Sequence, residues 1–171
     1  MERKGMVTFK GNPLTLVGNE VKVGDKAPPF TVLDHALAPV TLSTFSGKVK
    51  IISVTPSLDT PVCNLQATTF NEKARSLSAD VVVINISMDL PFAIARFCAG
   101  QGIDNLRTLS DHRDASFGRA YGVLVGELRL LARSVFVIDR ADIVRSIEIV
   151  PEMTHEPDYE RALGEAKKLV S

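Results

Sequence analysis

The chain has 171 residues, 45% of them apolar, and twenty basic side chains balance twenty acidic ones. This is enough for one well-formed core, so residues 1–171 are read as a single domain. A balanced charge without a basic run excludes non-specific attraction to nucleic acid or an anionic membrane, and no apolar run approaches the ~20 residues that cross a bilayer.

In chain order, the N-terminus Met1-Glu2-Arg3-Lys4-Gly5 is charged and leads into a strand pattern instead of a signal-peptide stretch, which predicts a cytoplasmic protein. Val7–Phe9 and Leu14–Val17 alternate like a hairpin around Lys10-Gly11-Asn12-Pro13, within an extension over residues 1–18. Phe30–Leu33 and Val40–Leu42 read as short strands, and Lys50–Val54 as a buried one. The pattern then predicts a helix over Pro61–Ser78, a strand over Val81–Ser87 and a helix over Pro91–Ala99, with Gly100-Gln101-Gly102 as its stop. A strand at Leu106–Leu109 and a helical turn at Ser116–Tyr121 follow. Arg133–Asp139 and Ile143–Val150 form two strands around an Asp-Arg-Ala-Asp turn, and Asp158–Val170 closes the chain as a helix. Strand–helix–strand followed by a hairpin and helix is an α/β pattern with helices flanking a mixed sheet. Periodicity places Leu65, Thr69 or Phe70, Ala74 and Leu77 on the buried face of the first long helix. On the second it places Phe92, Ala95 or Arg96, and Ala99.

The most informative stretch is Pro56-Ser57-Leu58-Asp59-Thr60-Pro61-Val62-Cys63, directly after the apolar run ending at Val54. Thr60 is a good N-cap type, and Pro61 then falls at the first helical position, where a missing N–H is harmless. Cys63 therefore stands in the first turn, where unpaired backbone N–H groups and the helix dipole favour an anion. A thiolate is such an anion and is the nucleophilic form of cysteine. The Thr60 hydroxyl can accept from the Val62 or Cys63 N–H and donate its single proton to the sulfur or to a bound oxygen. Pro56 supplies a wall beside the sulfur. The reading requires a sulfur within reach of a small oxidant. The bland alternative is a small buried hydrophobe, the usual role of a free cysteine.

Pro-x-x-x-Thr-x-x-Cys is the motif of the peroxiredoxins, and Thr-Pro-Ser-Leu-Asp-Thr-Pro-Val-Cys resembles their thiol peroxidase branch. Phe9–Thr15, Ser87–Ala93, Arg96-Phe97-Cys98, Ala132–Asp139 and Thr154–Tyr159 resemble it in the same order. The resemblance implies a thioredoxin-like fold with an N-terminal β-hairpin, and an atypical two-cysteine enzyme that reduces hydrogen peroxide and organic hydroperoxides. It implies Cys63 as the peroxidatic nucleophile, Cys98 as the resolving thiol of the same subunit, Thr60 as the hydroxyl partner, Arg133 as the activating cation and Pro56 as the shield. It further implies thioredoxin as reductant and a homodimer. Gly122–Leu131 is shorter than the family's loop before the arginine, and Arg129 stands four residues from Arg133.

Neither a metal nor a cofactor is expected. His35, His112 and His155 lie far apart, the cysteines do not form Cys-x-x-Cys, and no phosphate-binding glycine loop is present. Two rival readings share the fold: a thiol–disulfide oxidoreductase, disfavoured by the missing Cys-x-x-Cys, and a non-catalytic redox sensor.

Overall fold

The chain opens with Glu2–Phe9 (β1) and Asn12–Val17 (β2), an antiparallel hairpin whose two turn residues, Lys10 and Gly11, both have positive φ. That is the backbone twist a two-residue hairpin requires. The computed structural model describes residues 1–170. Thr31–Leu33 (β3) and Pro39–Thr41 (β4) are followed by a 3-10 turn at Leu42–Phe45. The central unit is Val49–Val54 (β5), Pro61–Ala74 (α1), Val81–Ser87 (β6), Pro91–Gln101 (α2) and Arg107–Ser110 (β7). Ser116–Ala120 (α3) precedes two short strands, Leu124–Val125 (β8) and Leu130–Leu131 (β9). Ser134–Ile138 (β10), Val144–Ile149 (β11) and Tyr159–Val170 (α4) complete the fold.

The main sheet runs β11-β10-β5-β6-β7-β3-β4, with β5, β6 and β7 parallel and the other pairings antiparallel. Side-chain alternation splits its core in two. Val49, Ile51, Val83, Val135 and Val137 pack under α1, α2 and α4 through Ala67, Phe70, Ile94 and Leu163. Ile52, Val54, Ile84, Ile86 and Phe136 face the opposite side, where α3 and a second sheet cover them. That second sheet has the order β1-β2-β8-β9, so the N-terminal hairpin joins a strand pair the sequence did not reveal. With two residues per strand, β8 and β9 are too short to show a period.

Two expected buried faces are corrected. On α1 the buried residues are Cys63, Gln66, Ala67, Phe70 and Asn71, whereas Leu65 is exposed. The stripe is rotated because two of its members are polar and are satisfied inside. Gln66 bonds β5, while Asn71 Oδ1 accepts the N–H groups of Asp104 and Asn105. On α2 the buried residues are Pro91 and Ile94, and Phe92 points outward. The first helix also ends at Ala74, short of Ser78, because Ser76 N–H and its hydroxyl both turn back onto the Lys73 carbonyl. The α2 stop holds: Gly102 caps it at φ 64°.

Candidate active site

In an open α/β sheet the carboxyl ends of the parallel strands are where chemistry collects, since helix N-termini converge there. Here β5 ends at Val54, the chain turns through Pro56–Thr60, and α1 begins at Pro61. Asp89, just beyond β6, braces this turn: its carboxylate accepts from Ser57 Oγ at 2.7 Å and from Leu58 N–H at 2.8 Å. Thr60 has extended backbone and caps α1, its hydroxyl accepting the Cys63 N–H at 3.4 Å.

Cys63 is buried on the inner face of α1, and Gln66 shares that face one turn later. Arg133, immediately before β10, reaches both from across the sheet. Its Nη2 donates to Cys63 Sγ at 3.3 Å and its Nη1 to Gln66 Oε1 at 2.9 Å. The Met153 carbonyl accepts from Nε at 2.9 Å and from Nη2 at 2.7 Å. Gln66 is held in turn, its Nε2 donating to Ser53 Oγ at 2.7 Å and to the Val54 carbonyl. Arg133 is 2% exposed, and among the described residues no carboxylate lies within ion-pair distance of it. A guanidinium does not deprotonate in proteins and is expensive to bury without an anion. In its hydrogen-bonded shell of two oxygens and one sulfur, the Cys63 sulfur is the atom that can carry negative charge. Arg129, the other cation in this stretch, is exposed at a positive φ and takes no part.

A cavity of about 230 Å³ opens at the start of α1, lined by Pro56, Thr60, Pro61, Val62, Arg133, Phe9, Lys10, Met153 and Thr154, and Thr60 and Arg133 link it to Cys63. Pro56 is one of the residues that line it. Two expectations are modified. Cys63 is 0% exposed and is not among the residues that line the cavity, so the expected reach of a small oxidant to Sγ is not provided in this conformation. The Thr60 hydroxyl spends its one proton on the Ser57 carbonyl at 3.1 Å, and must rotate to serve the sulfur or a bound oxygen.

Cys98 lies apart, in the last turns of α2. Its Sγ sits 3.1 Å from Thr108 Oγ1 on β7, and both cysteines are free. Burial pushes the Cys98 thiol up, against a smaller opposing effect of the Thr108 hydroxyl. No group of three or more potential metal ligands occurs among the described residues. Sequence reasoning missed Gln66, Asp89 and the Met153 carbonyl. The visible trace of Gln66 is a polar side chain three residues after Cys63, on the same helical face.

A cysteine in the first turn of a helix, packed against a buried arginine on a mixed α/β sheet, defines a thiol-based oxidoreductase. The redoxin family model matches residues 22–163. A thiol peroxidase of Halalkalibacterium halodurans is 60% identical over 161 residues, covering 94% of this chain and 96% of that protein. One of Bacillus subtilis is 58% identical over 164 residues, covering 96% and 98%. The crystal structure of a peroxiredoxin-like protein from Aquifex aeolicus superposes with a TM-score of 0.90 at 42% identity, covering 98% of this chain and 97% of that one. The chain belongs to the redoxin family, in its thiol peroxidase branch, and its fold is the thioredoxin-like α/β fold expected.

Proposed function

We propose that the protein reduces hydrogen peroxide and organic hydroperoxides through Cys63, with Cys98 as resolving thiol and a thioredoxin-type dithiol as reductant. The observation that carries this reading is the buried Arg133, which has no carboxylate partner among the described residues and donates to Cys63 Sγ. In the first step the Cys63 thiolate attacks one peroxide oxygen. An S–O bond forms, the O–O bond breaks, and the departing oxygen leaves as water or an alcohol once protonated. Arg133 Nη2 donates to the reacting sulfur, and the Cys63 N–H and the Thr60 hydroxyl join it at the developing charge by leaving their present acceptors, Thr60 Oγ1 and the Ser57 carbonyl. Cys98 then attacks the sulfenic sulfur, forming a disulfide and expelling water. Two exchange steps with a dithiol restore both thiols and leave the reductant oxidised.

Disulfide formation demands Cα atoms about 4.4–6.8 Å apart. In the reduced fold the two sulfurs face different partners, Arg133 and Thr108. The first turn of α1 and the last turn of α2 therefore unwind on oxidation. Hydrogen exchange is expected to show lost protection around Cys63 and Cys98 in the oxidised protein, and equal protection in both states would remove this step. The raised Cys98 pKa suits a thiol that stays idle until that opening.

The deciding assay is peroxide-dependent NADPH consumption with thioredoxin and its reductase. Cys63→Ser is expected to abolish turnover. Cys98→Ser is expected to leave one rapid peroxide reaction at Cys63 and block recycling. Equal activity in the wild type and Cys63→Ser would sink the reading, and a Cys63–Cys98 disulfide without turnover would favour a redox sensor. A cytoplasmic homodimer without cofactor or metal is part of the same proposal. No helix among the described residues is long and apolar enough to cross a membrane.

A further inference from the structure

The Glu152 carboxylate accepts four hydrogen bonds, although the chemistry described so far gives it no part. Its Oε1 accepts from Thr8 Oγ1 at 2.9 Å and from Gly11 N–H at 2.8 Å. Its Oε2 accepts from Thr154 N–H at 2.8 Å and from Thr154 Oγ1 at 2.7 Å. The carboxylate thus joins the turn of the N-terminal hairpin to the segment after β11. Hydrogen bonds from the Thr154 hydroxyl and the Gly11 and Thr154 N–H groups hold its carboxyl well below the usual glutamate range.

Met153 lies between the two anchored positions. Its N–H donates to the Thr8 carbonyl at 2.8 Å, and its own carbonyl takes two of the four hydrogen bonds of the Arg133 guanidinium. The remaining two go to Gln66 and to Cys63 Sγ. The buried Met153 side chain and the backbone bonds between Thr8 and residues 151 and 153 hold this segment against β1, and the Glu152 carboxylate adds the tie to the hairpin turn. Phe9 and Lys10 of the hairpin and Thr154 of the segment also line the cavity at the start of α1, so the same clamp holds one of its walls.

We propose that Glu152 is a positioning residue for the reaction at Cys63: by tying the β1–β2 turn to residues 152–154 it fixes the Met153 carbonyl that aims Arg133 at the sulfur. The inference rests on the reading of Cys63 and Arg133 as the peroxide-reducing pair. Arg133 stabilises charge on the departing peroxide oxygen, and a displacement of about 1 Å in such a group can cost up to about a hundredfold in rate. Alkylation of the same sulfur has no such demand.

The test compares Glu152→Ala and Glu152→Gln with the wild type in the full chain. Rate constants for hydrogen peroxide and for iodoacetamide are both read at Cys63 by mass spectrometry. General loosening uncovers the sulfur to both reagents and leaves their ratio unchanged, so the ratio separates positioning from mere structural support. In Glu152→Ala the peroxide-to-iodoacetamide ratio is expected to fall about tenfold. Glutamine keeps the size and one acceptor oxygen, and its ratio is expected to fall about threefold. A folded Glu152→Ala with the wild-type ratio would overturn the inference. If that variant does not fold, an unchanged ratio in Glu152→Gln overturns it equally. A wild-type ratio no higher than that of free cysteine would instead overturn the peroxidase reading itself.

Discussion

Replacing Arg133 with lysine is expected to lower the rate constant for hydrogen peroxide by about 10²–10³-fold. The magnitude is chosen against a ceiling. A thiol of ordinary pKa, about 8.5, is ~3% ionised at pH 7, so ionisation alone can change the reactive fraction about thirtyfold. That is about 2 kcal/mol, whereas enzymes commonly remove 8 kcal/mol or more from a barrier. The remainder must come from placing the peroxide and stabilising its departing oxygen. On the proposed reading this is the part of Arg133, whose planar fork reaches Met153, Gln66 and Cys63 together through its three nitrogens. An ammonium is a single nitrogen on a flexible stem and cannot reproduce that fan. The check is to measure the thiolate fraction by ultraviolet absorbance beside the peroxide rate in the same variant. A rate that fell only in proportion to the thiolate fraction would show that Arg133 acts through ionisation alone.

The local part of this site was legible because its devices are local. A threonine cap, a proline at the first helical position and a cysteine two residues later specify a first-turn thiol within four residues, and the structure has that turn. The strands β5 and β6 were legible as apolar runs bounded by turn residues, which is how buried parallel strands read. What supports Arg133 was not legible. One of its anchors is the backbone carbonyl of Met153, which every residue type carries, so no side-chain identity marks it. Another is Gln66, a polar residue on a face that periodicity expects to be apolar. The same expectation put Leu65 inside and left Gln66 unnoticed, so one rotation of the helix explains both errors. The choice between Arg129 and Arg133 came from the family resemblance. The structure places Arg129 in an exposed turn after β8 and Arg133 in the core. The sequence offers the Thr60 proton to the sulfur or to a bound oxygen and does not show the competitor that takes it in the structure, the Ser57 carbonyl three residues earlier in the turn.

A stability cycle tests the charge pairing without any turnover. Cys63→Ala removes the atom that can carry the counter-charge and leaves a guanidinium buried among neutral acceptors. Breaking a buried pair from one side costs about 3–5 kcal/mol, because the surviving charge is uncompensated. Arg133→Met removes that charge but strands Gln66 Oε1 and the Met153 carbonyl, at about 1–3 kcal/mol for each unsatisfied group. With both changes made, the stranded acceptors remain and the unpaired charge is gone. The double variant is therefore expected to be more stable than the sum of the single losses implies, by about 2 kcal/mol or more in urea unfolding. Strict additivity would mean that sulfur and guanidinium ignore one another, and that the 3.3 Å contact is packing alone. A coupling of the expected sign would identify the sulfur as the anion that lets the protein bury Arg133, so that the same pairing stabilises the reduced fold and prepares its nucleophile.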